Sequence, residues 1–324
     1  MAAVPATVLS GFLGAGKTTL LNRVLDGAHG ERIAVLVNDF GDVAIDARLV
    51  RAADDDVVSL ANGCVCCSIQ GDFMAAVRKV LLREPRPERL LIELSGVSDP
   101  GSVARSFAVM QRSWPVDLDG VVAVVDAENF PSTSDPDYLL ARDQLALADL
   151  VIVNKTDLVS AGRLGELRAR LRDYLPRGRF VEAREAEVPL EILLGIASTR
   201  EFPLESARGH AFATFTYRAT QALSLERLRE VMTELPPEAF RVKGTLDLDA
   251  VPEHEAILQV VGQRARVSRG RPWGARVRQS ELVFVGRPEL DDDALRQRLD
   301  SCVPAAPRRA SLVGALEWLR RRRD

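Results

Sequence analysis

The chain has 324 residues, of which 47% are hydrophobic and 27% charged, and its net charge is −3 at neutral pH. That is ordinary globular composition with room for two domains, and it excludes both a disordered chain and one drawn to nucleic acid by a general basic field. Apolar runs such as residues 121–125 are far too short to span a bilayer, and the opening MAAVPATVLSG lacks the charged start and long apolar stretch of a secretory signal. A cytoplasmic protein is expected, with neither membrane nor nucleic acid as partner. The basic end at Arg320, Arg321, Arg322 and Arg323 reads as a solvated helix terminus.

In chain order, short β-branched runs predict strands at residues 6–9, 33–37, 90–94, 121–125, 150–153 and 180–182. Helical spacing predicts helices at residues 18–25, 73–82, 102–110, 139–146 and 164–174. Continuous apolar strands alternating with helices imply an α/β domain, a mostly parallel sheet covered on both faces. After about Gly209 the pattern changes. A strand at 212–217 and a helix at 225–233 precede three successive strands at 241–248, 257–267 and 281–285, then helices at 291–299 and 312–319. Strands in a row imply antiparallel pairing, hence a smaller α+β domain. The expected division is a nucleotide-binding domain over 1–200, a linker over 201–210 and the second domain over 211–324.

Gly11-Phe12-Leu13-Gly14-Ala15-Gly16-Lys17-Thr18 fits the phosphate-loop pattern G-x-x-x-x-G-K-[ST], and it follows a predicted strand and opens a predicted helix. Glycines let backbone N–H groups turn inward around phosphate oxygens, and the helix N-terminus favours an anion. Lys17 is expected to reach the terminal phosphates, Thr18 to bind Mg²⁺ through its hydroxyl, and Gly11, Gly14, Ala15, Gly16 and Thr19 to line the nucleotide. Although the chain holds 43 basic residues, its only lysines are Lys17, Lys79, Lys155 and Lys243. Where Arg serves nearly everywhere, a Lys points to a need for a compact ammonium group.

Asn154-Lys155-Thr156-Asp157 closes another predicted strand at its carboxyl end, where ligands bind in such sheets. A carboxylate at Asp157 can accept from both N1–H and N2–H₂ of guanine. Adenine has no donor at N1. One such charge-assisted bond is worth roughly 1.5–3 kcal/mol. Lys155 is expected to lay its stem along the base and Asn154 to fix the loop. Asn38-Asp39-Phe40-Gly41-Asp42 and Glu93-Leu94-Ser95-Gly96 follow two further strands. Asp39, Asp42 and Glu93 are candidate Mg²⁺ or switch carboxylates, with Glu93 also a catalytic candidate beside Lys17, and Gly96 can offer its N–H to a γ-phosphate.

Asn62-Gly63-Cys64-Val65-Cys66-Cys67 gathers three of the four cysteines, and Cys302 is remote. Thiolates are soft ligands suited to Zn²⁺ or Cu⁺. At most three thiolates leave a coordination position open, which suits metal that must depart. Binding should release protons and weaken in acid.

The runs GFLGAGKTTLLN, VNDFGDVAID, NGCVCCSI, IELSGVSDPG, LDGVVAVVDA, VNKTDL, RVKGTLDL, RPWG and LVFVG together resemble the CobW-type metallochaperone GTPases, relatives of the nickel-insertion GTPases of urease and hydrogenase. The resemblance spans most of the chain. It implies GTP hydrolysis with Mg²⁺, Cys64, Cys66 and Cys67 as the site of a transferred metal (zinc foremost, with Co²⁺ and Ni²⁺ open), and a C-terminal domain of the CobW type that meets a metal-dependent client protein. It leaves room for a nucleotide-dependent homodimer. Two departures stand out: Asp39 and Asp42 replace the glutamates of the usual NEFGE, and His29, His210 and His254 are widely separated, so no His-rich storage tract is present. Two alternatives stay open, a metal-regulated GTP-binding protein without transfer and a P-loop small-molecule kinase. The Asn-Lys-Thr-Asp run argues against the kinase.

Overall fold

The computed structural model describes residues 3–27, 30–38, 57–60, 69–96, 98, 100–194, 213–262 and 264–304. The chain divides into two compact units, Met1–Ser198 and Thr199–Asp324.

Unit one alternates strand and helix. Its elements are β1 (Val4–Ser10), α1 (Lys17–Asp26), β2 (Ile33–Asn38), β3 (Val57–Leu60), α2 (Ile69–Leu81), β4 (Arg89–Glu93), α3 (Pro100–Met110), β5 (Val116–Asp126), α4 (Tyr138–Ala146), β6 (Leu150–Asn154), α5 (Ala161–Tyr174), β7 (Phe180–Glu182) and α6 (Leu190–Leu194). Among the described residues these strands form one seven-stranded sheet in the order β3-β2-β4-β1-β5-β6-β7. Every pair in it is parallel. Parallel strands flanked by helices are buried on both faces, which is why β4 and β6 are buried at every position. β1 lies between β4 and β5, at the point where the strand order reverses, so the loop after β1 opens into the crevice where such sheets bind ligands. On one side of the sheet, Phe73, Val77 and Val80 of α2 and Val103, Phe107 and Met110 of α3 pack with Ala6, Val8, Leu36, Leu90 and Ile92. A second core gathers Ala141 and Leu145 of α4 and Leu167 and Leu171 of α5 with Ala123, Val125, Val151 and Val153.

Unit two contains β8 (Ala213–Ala219), α7 (Leu225–Thr233), β9 (Ala239–Leu246), β10 (His254–Val261), β11 (Arg264–Pro272), β12 (Ser280–Gly286) and α8 (Asp292–Asp300). Its strands pair antiparallel in the order β11-β10-β9-β12-β8. Leu228, Val231 and Met232 of α7 and Leu295 and Leu299 of α8 bury against this sheet. Cys302 joins that core, and burial pushes its thiol up to about 11, as befits a small hydrophobe and not a ligand. Asp291 caps α8, accepting from the Ala294 N–H at 2.9 Å.

The structure corrects the reading in several places. The single strand expected over 257–267 is two strands, β10 and β11, and the reversal between them begins at Gly262 with φ +57. A positive φ suits glycine and allows the tight turn. Strand β3 and the short helix α6 were not anticipated, and β5 runs well beyond 121–125. The helix expected over 312–319 and the linker over 201–210 lie outside the described residues.

Phe107 is fully buried, and its ring meets Phe73 edge-on at 5.9 Å and 72°. Phe107→Ala is expected to lower unfolding stability by about 3–5 kcal/mol in denaturant titration. A loss below about 1 kcal/mol would place the packing of α2 and α3 on the sheet in doubt.

Candidate nucleotide site

The loop after β1 takes its shape from three glycines of positive φ: Gly11 at +130°, Gly14 at +73° and Gly16 at +104°. Two of them also lie too close to a neighbour for any side chain. A Cβ on Gly11 would sit 2.2 Å from the Val124 carbonyl oxygen, and one on Gly16 would sit 2.4 Å from Asn154 Nδ2. Gly16 is the N-cap of α1, so Lys17 and Thr18 fall in its first turn with Thr19 exposed beside them. The Lys17 stem is buried, and its Nζ donates to the carbonyls of Gly11 at 2.9 Å and Phe12 at 3.1 Å. The ammonium group is therefore held at the rim of its own loop.

Glu93 ends β4, which pairs directly with β1, and its carboxylate is buried. The Thr18 hydroxyl donates to Glu93 Oε1 at 2.7 Å. Two hard oxygens so close together are of the kind that could share a Mg²⁺, whose neighbouring ligands lie roughly 3 Å apart when each is about 2.1 Å from the ion. Three residues on, Gly96 lies against the phosphate loop. A Cβ there would approach Leu13 N to 2.6 Å and Leu13 Cδ2 to 2.5 Å.

The base loop follows β6. Asn154 is buried, and its Nδ2 donates to the Ala15 carbonyl at 2.9 Å while its Oδ1 accepts from the Ala186 N–H at 2.7 Å. Lys155 has φ 60, and Glu185 and Ala186 have φ 49 and 60. Non-glycine residues adopt this region at a cost, and such strain concentrates at binding sites. Asp157 stands exposed in the short 3₁₀ turn Thr156–Leu158.

The structure thus brings Gly11, Gly14, Ala15, Gly16, Lys17, Thr18, Glu93, Gly96 and Asn154 together around one loop, with Lys155 and Asp157 on the adjoining one. Asp39, Asp42, Cys64, Cys66 and Cys67 lie outside the described residues. Among the described residues there is no cluster of three or more His, Cys, Asp or Glu able to hold a metal.

Sequence reasoning passed over two residues. Asp126 ends β5 and its Oδ2 accepts from Lys155 Nζ at 2.7 Å. It also accepts from Asn129 Nδ2 at 3.1 Å and from the backbone N–H groups of Glu128 and Asn129 at 2.9 and 3.1 Å. The rule that flagged Glu93, a carboxylate ending a strand near the sheet centre, would have found it. Gln144 of α4 is buried and donates to the Gly96 carbonyl at 2.8 Å. Its signal was an amide at helical spacing between apolar Ala141 and Leu145.

A model of the CobW/HypB/UreG nucleotide-binding domain matches residues 5–182, and a model of the cobalamin synthesis protein CobW C-terminal domain matches residues 212–303. The chain belongs to the CobW/HypB/UreG family. The zinc chaperone CobW of Sinorhizobium sp is 32% identical over 93% of this chain and 97% of its own length. The zinc chaperone CobW of Pseudomonas aeruginosa is 32% identical over 92% of this chain and 91% of its own. The zinc chaperone YjiA of Escherichia coli is 30% identical over 90% and 96%. In this CobW-family chain the two matched domains fall within the two compact units. Among the described residues, no helix is long and apolar enough to cross a membrane.

Asp126 yields a pH prediction. Burial alone would raise its pKa, but hydrogen bonds from Lys155, from the Asn129 side chain and from two backbone N–H groups outweigh it, and the net shift is downward. A lowered carboxylate contributes stability above its unfolded pKa, about 3.9, and loses it as the pH falls through the folded value. Asp126→Asn should therefore be less stable at neutral pH and less acid-sensitive below about pH 4. Parallel stability curves for parent and variant would contradict the pairing.

Proposed function

We propose that this protein is a GTP-hydrolysing metallochaperone that binds a transition metal, zinc foremost, at Cys64, Cys66 and Cys67 and passes it to a client protein under control of the nucleotide state. The observation that carries the GTPase part is the tie between the two loops. Asn154, which opens the base loop, bonds the phosphate loop through Ala15 and the turn after β7 through Ala186, so phosphate and base loops are held as one unit. The metal part is supported by the cysteine run and by curated relatives named zinc chaperones.

In this reading, backbone N–H groups from Gly11 to Thr18 receive the phosphates. Lys17 exchanges its bonds to the Gly11 and Phe12 carbonyls for phosphate oxygens and offsets charge on the transferring group. Thr18 and Glu93, with Asp39 and Asp42 as further candidates, would hold Mg²⁺, which would supply charge neutralisation at the β- and γ-phosphates. Gly96 offers its N–H to the γ-phosphate. Asp157 accepts from guanine, and Lys155, fixed by Asp126, lays its stem along the base. The client, a nucleotide-dependent homodimer, a cytoplasmic location and a choice of zinc over cobalt or nickel belong to the same proposal. Transfer separates this reading from a metal-regulated GTP-binding protein. The guanine-suited run Asn154-Lys155-Thr156-Asp157 disfavours the kinase alternative.

Guanine nucleotides are expected to bind far more tightly than adenine nucleotides, and Asp157→Asn should weaken GTP by roughly ten- to a hundredfold while relaxing the preference. Calorimetry giving equal ATP and GTP affinity for the parent would sink the assignment. The triple variant Cys64→Ser, Cys66→Ser and Cys67→Ser should lose tight zinc binding yet keep GTP. Stoichiometric zinc retained in that variant, measured by metal analysis, would move the metal site elsewhere.

A further inference from the structure

Gln144 is 1% exposed and occupies the buried face of α4 between Ala141 and Leu145. Its Nε2 donates to two carbonyls of one turn, Gly96 at 2.8 Å and Ser98 at 3.3 Å. That turn is closed on itself. The Ser98 N–H donates to the Ser95 carbonyl at 3.0 Å, and the two serine hydroxyls lie 2.8 Å apart. Gly96 abuts the phosphate loop at Leu13, where even a Cβ would not fit. The other end of the amide, Oε1, is buried with no hydrogen-bond partner among the described residues. For packing alone a leucine would serve better, because a buried acceptor left unpaired costs free energy. What the amide contributes is its two bonds to the Gly96 turn.

We propose that Gln144 is a positioning residue that holds the Gly96 turn against the phosphate loop and thereby sets how strongly the site prefers a nucleoside triphosphate to a diphosphate. This rests on the reading of Gly96 as the γ-phosphate sensor. With the turn pinned, its N–H stands ready for a terminal phosphate and little ordering remains to be done on binding. Without the pin, the turn must be ordered each time, and only the triphosphate, which reaches it, is weakened.

The test is the affinity of the full chain for GDP and for a non-hydrolysable GTP analogue, in the parent and in Gln144→Leu, Gln144→Met and Gly96→Ala. Both Gln144 variants keep the volume and remove the donor. Their preference for the triphosphate should fall roughly tenfold, with GDP affinity within about twofold of the parent. An unchanged preference, or equal weakening of both nucleotides, overturns the proposal, the latter because it marks a merely structural residue. Gly96→Ala separates the two readings: it keeps the N–H, but its Cβ would meet Leu13 N at 2.6 Å and so moves the turn off the phosphate loop. If it keeps the parental preference, Gly96 is not the sensor. If it loses the preference while both Gln144 variants keep it, the sensor stands and the role of Gln144 falls.

Discussion

The two hydrogen bonds of the Asn154 side chain, to Ala15 and to Ala186, are the constraint on which the candidate site depends. They join three segments far apart in sequence: the loop after β1, the end of β6 and the turn after β7. Each partner is a backbone group that burial would otherwise leave unpaired, at a cost of roughly 1–3 kcal/mol apiece. The same side chain explains Gly16, since a Cβ there would meet Asn154 Nδ2 at 2.4 Å. Glycine at that position is thus required twice, by its φ of +104° and by the amide packed against it.

Around that tie the polar groups of the candidate site are each held by an internal partner. Lys17 is held by loop carbonyls, Thr18 by Glu93, and Lys155 by Asp126. All three arrangements keep a polar group oriented at the carboxyl ends of β1, β4, β5 and β6. Such pre-ordering lowers the conformational entropy that binding would otherwise cost. The strained backbone at Lys155, Glu185 and Ala186 belongs to the same design, because among the described residues positive-φ strain outside glycine falls only in the segments Asn154 brings together.

Much of unit one was legible because a buried parallel strand leaves an uninterrupted apolar run, and β2, β4 and β6 do so. The phosphate loop was legible because its glycines, Lys17 and Thr18 answer chemical needs that few other residues meet. Unit two was read less well. The hairpin between β10 and β11 turns at Gly262 without an Asn-Gly or Asp-Gly pair, so two strands merged into one in the reading. Ala186 escaped notice because it acts through its backbone N–H, to which side-chain chemistry gives no clue. Asp126 and Gln144 carried a signal, a polar side chain at a position that periodicity assigns to the core or to a strand end.

The central claim is that nucleotide state and metal affinity are coupled, since the cysteine run lies in sequence between the two proposed switch segments at Asp39–Asp42 and Glu93–Gly96. Coupling between two sites is reciprocal, and on a scale of roughly 1–3 kcal/mol it amounts to about five- to a hundredfold in affinity. The direct measurement is a competitive zinc titration of the full chain with GDP and with a non-hydrolysable GTP analogue, paired with nucleotide titrations with and without zinc. The account predicts zinc affinities that differ by such a factor and nucleotide affinities that differ by the same one. Identical zinc affinities in the two nucleotide states would contradict it.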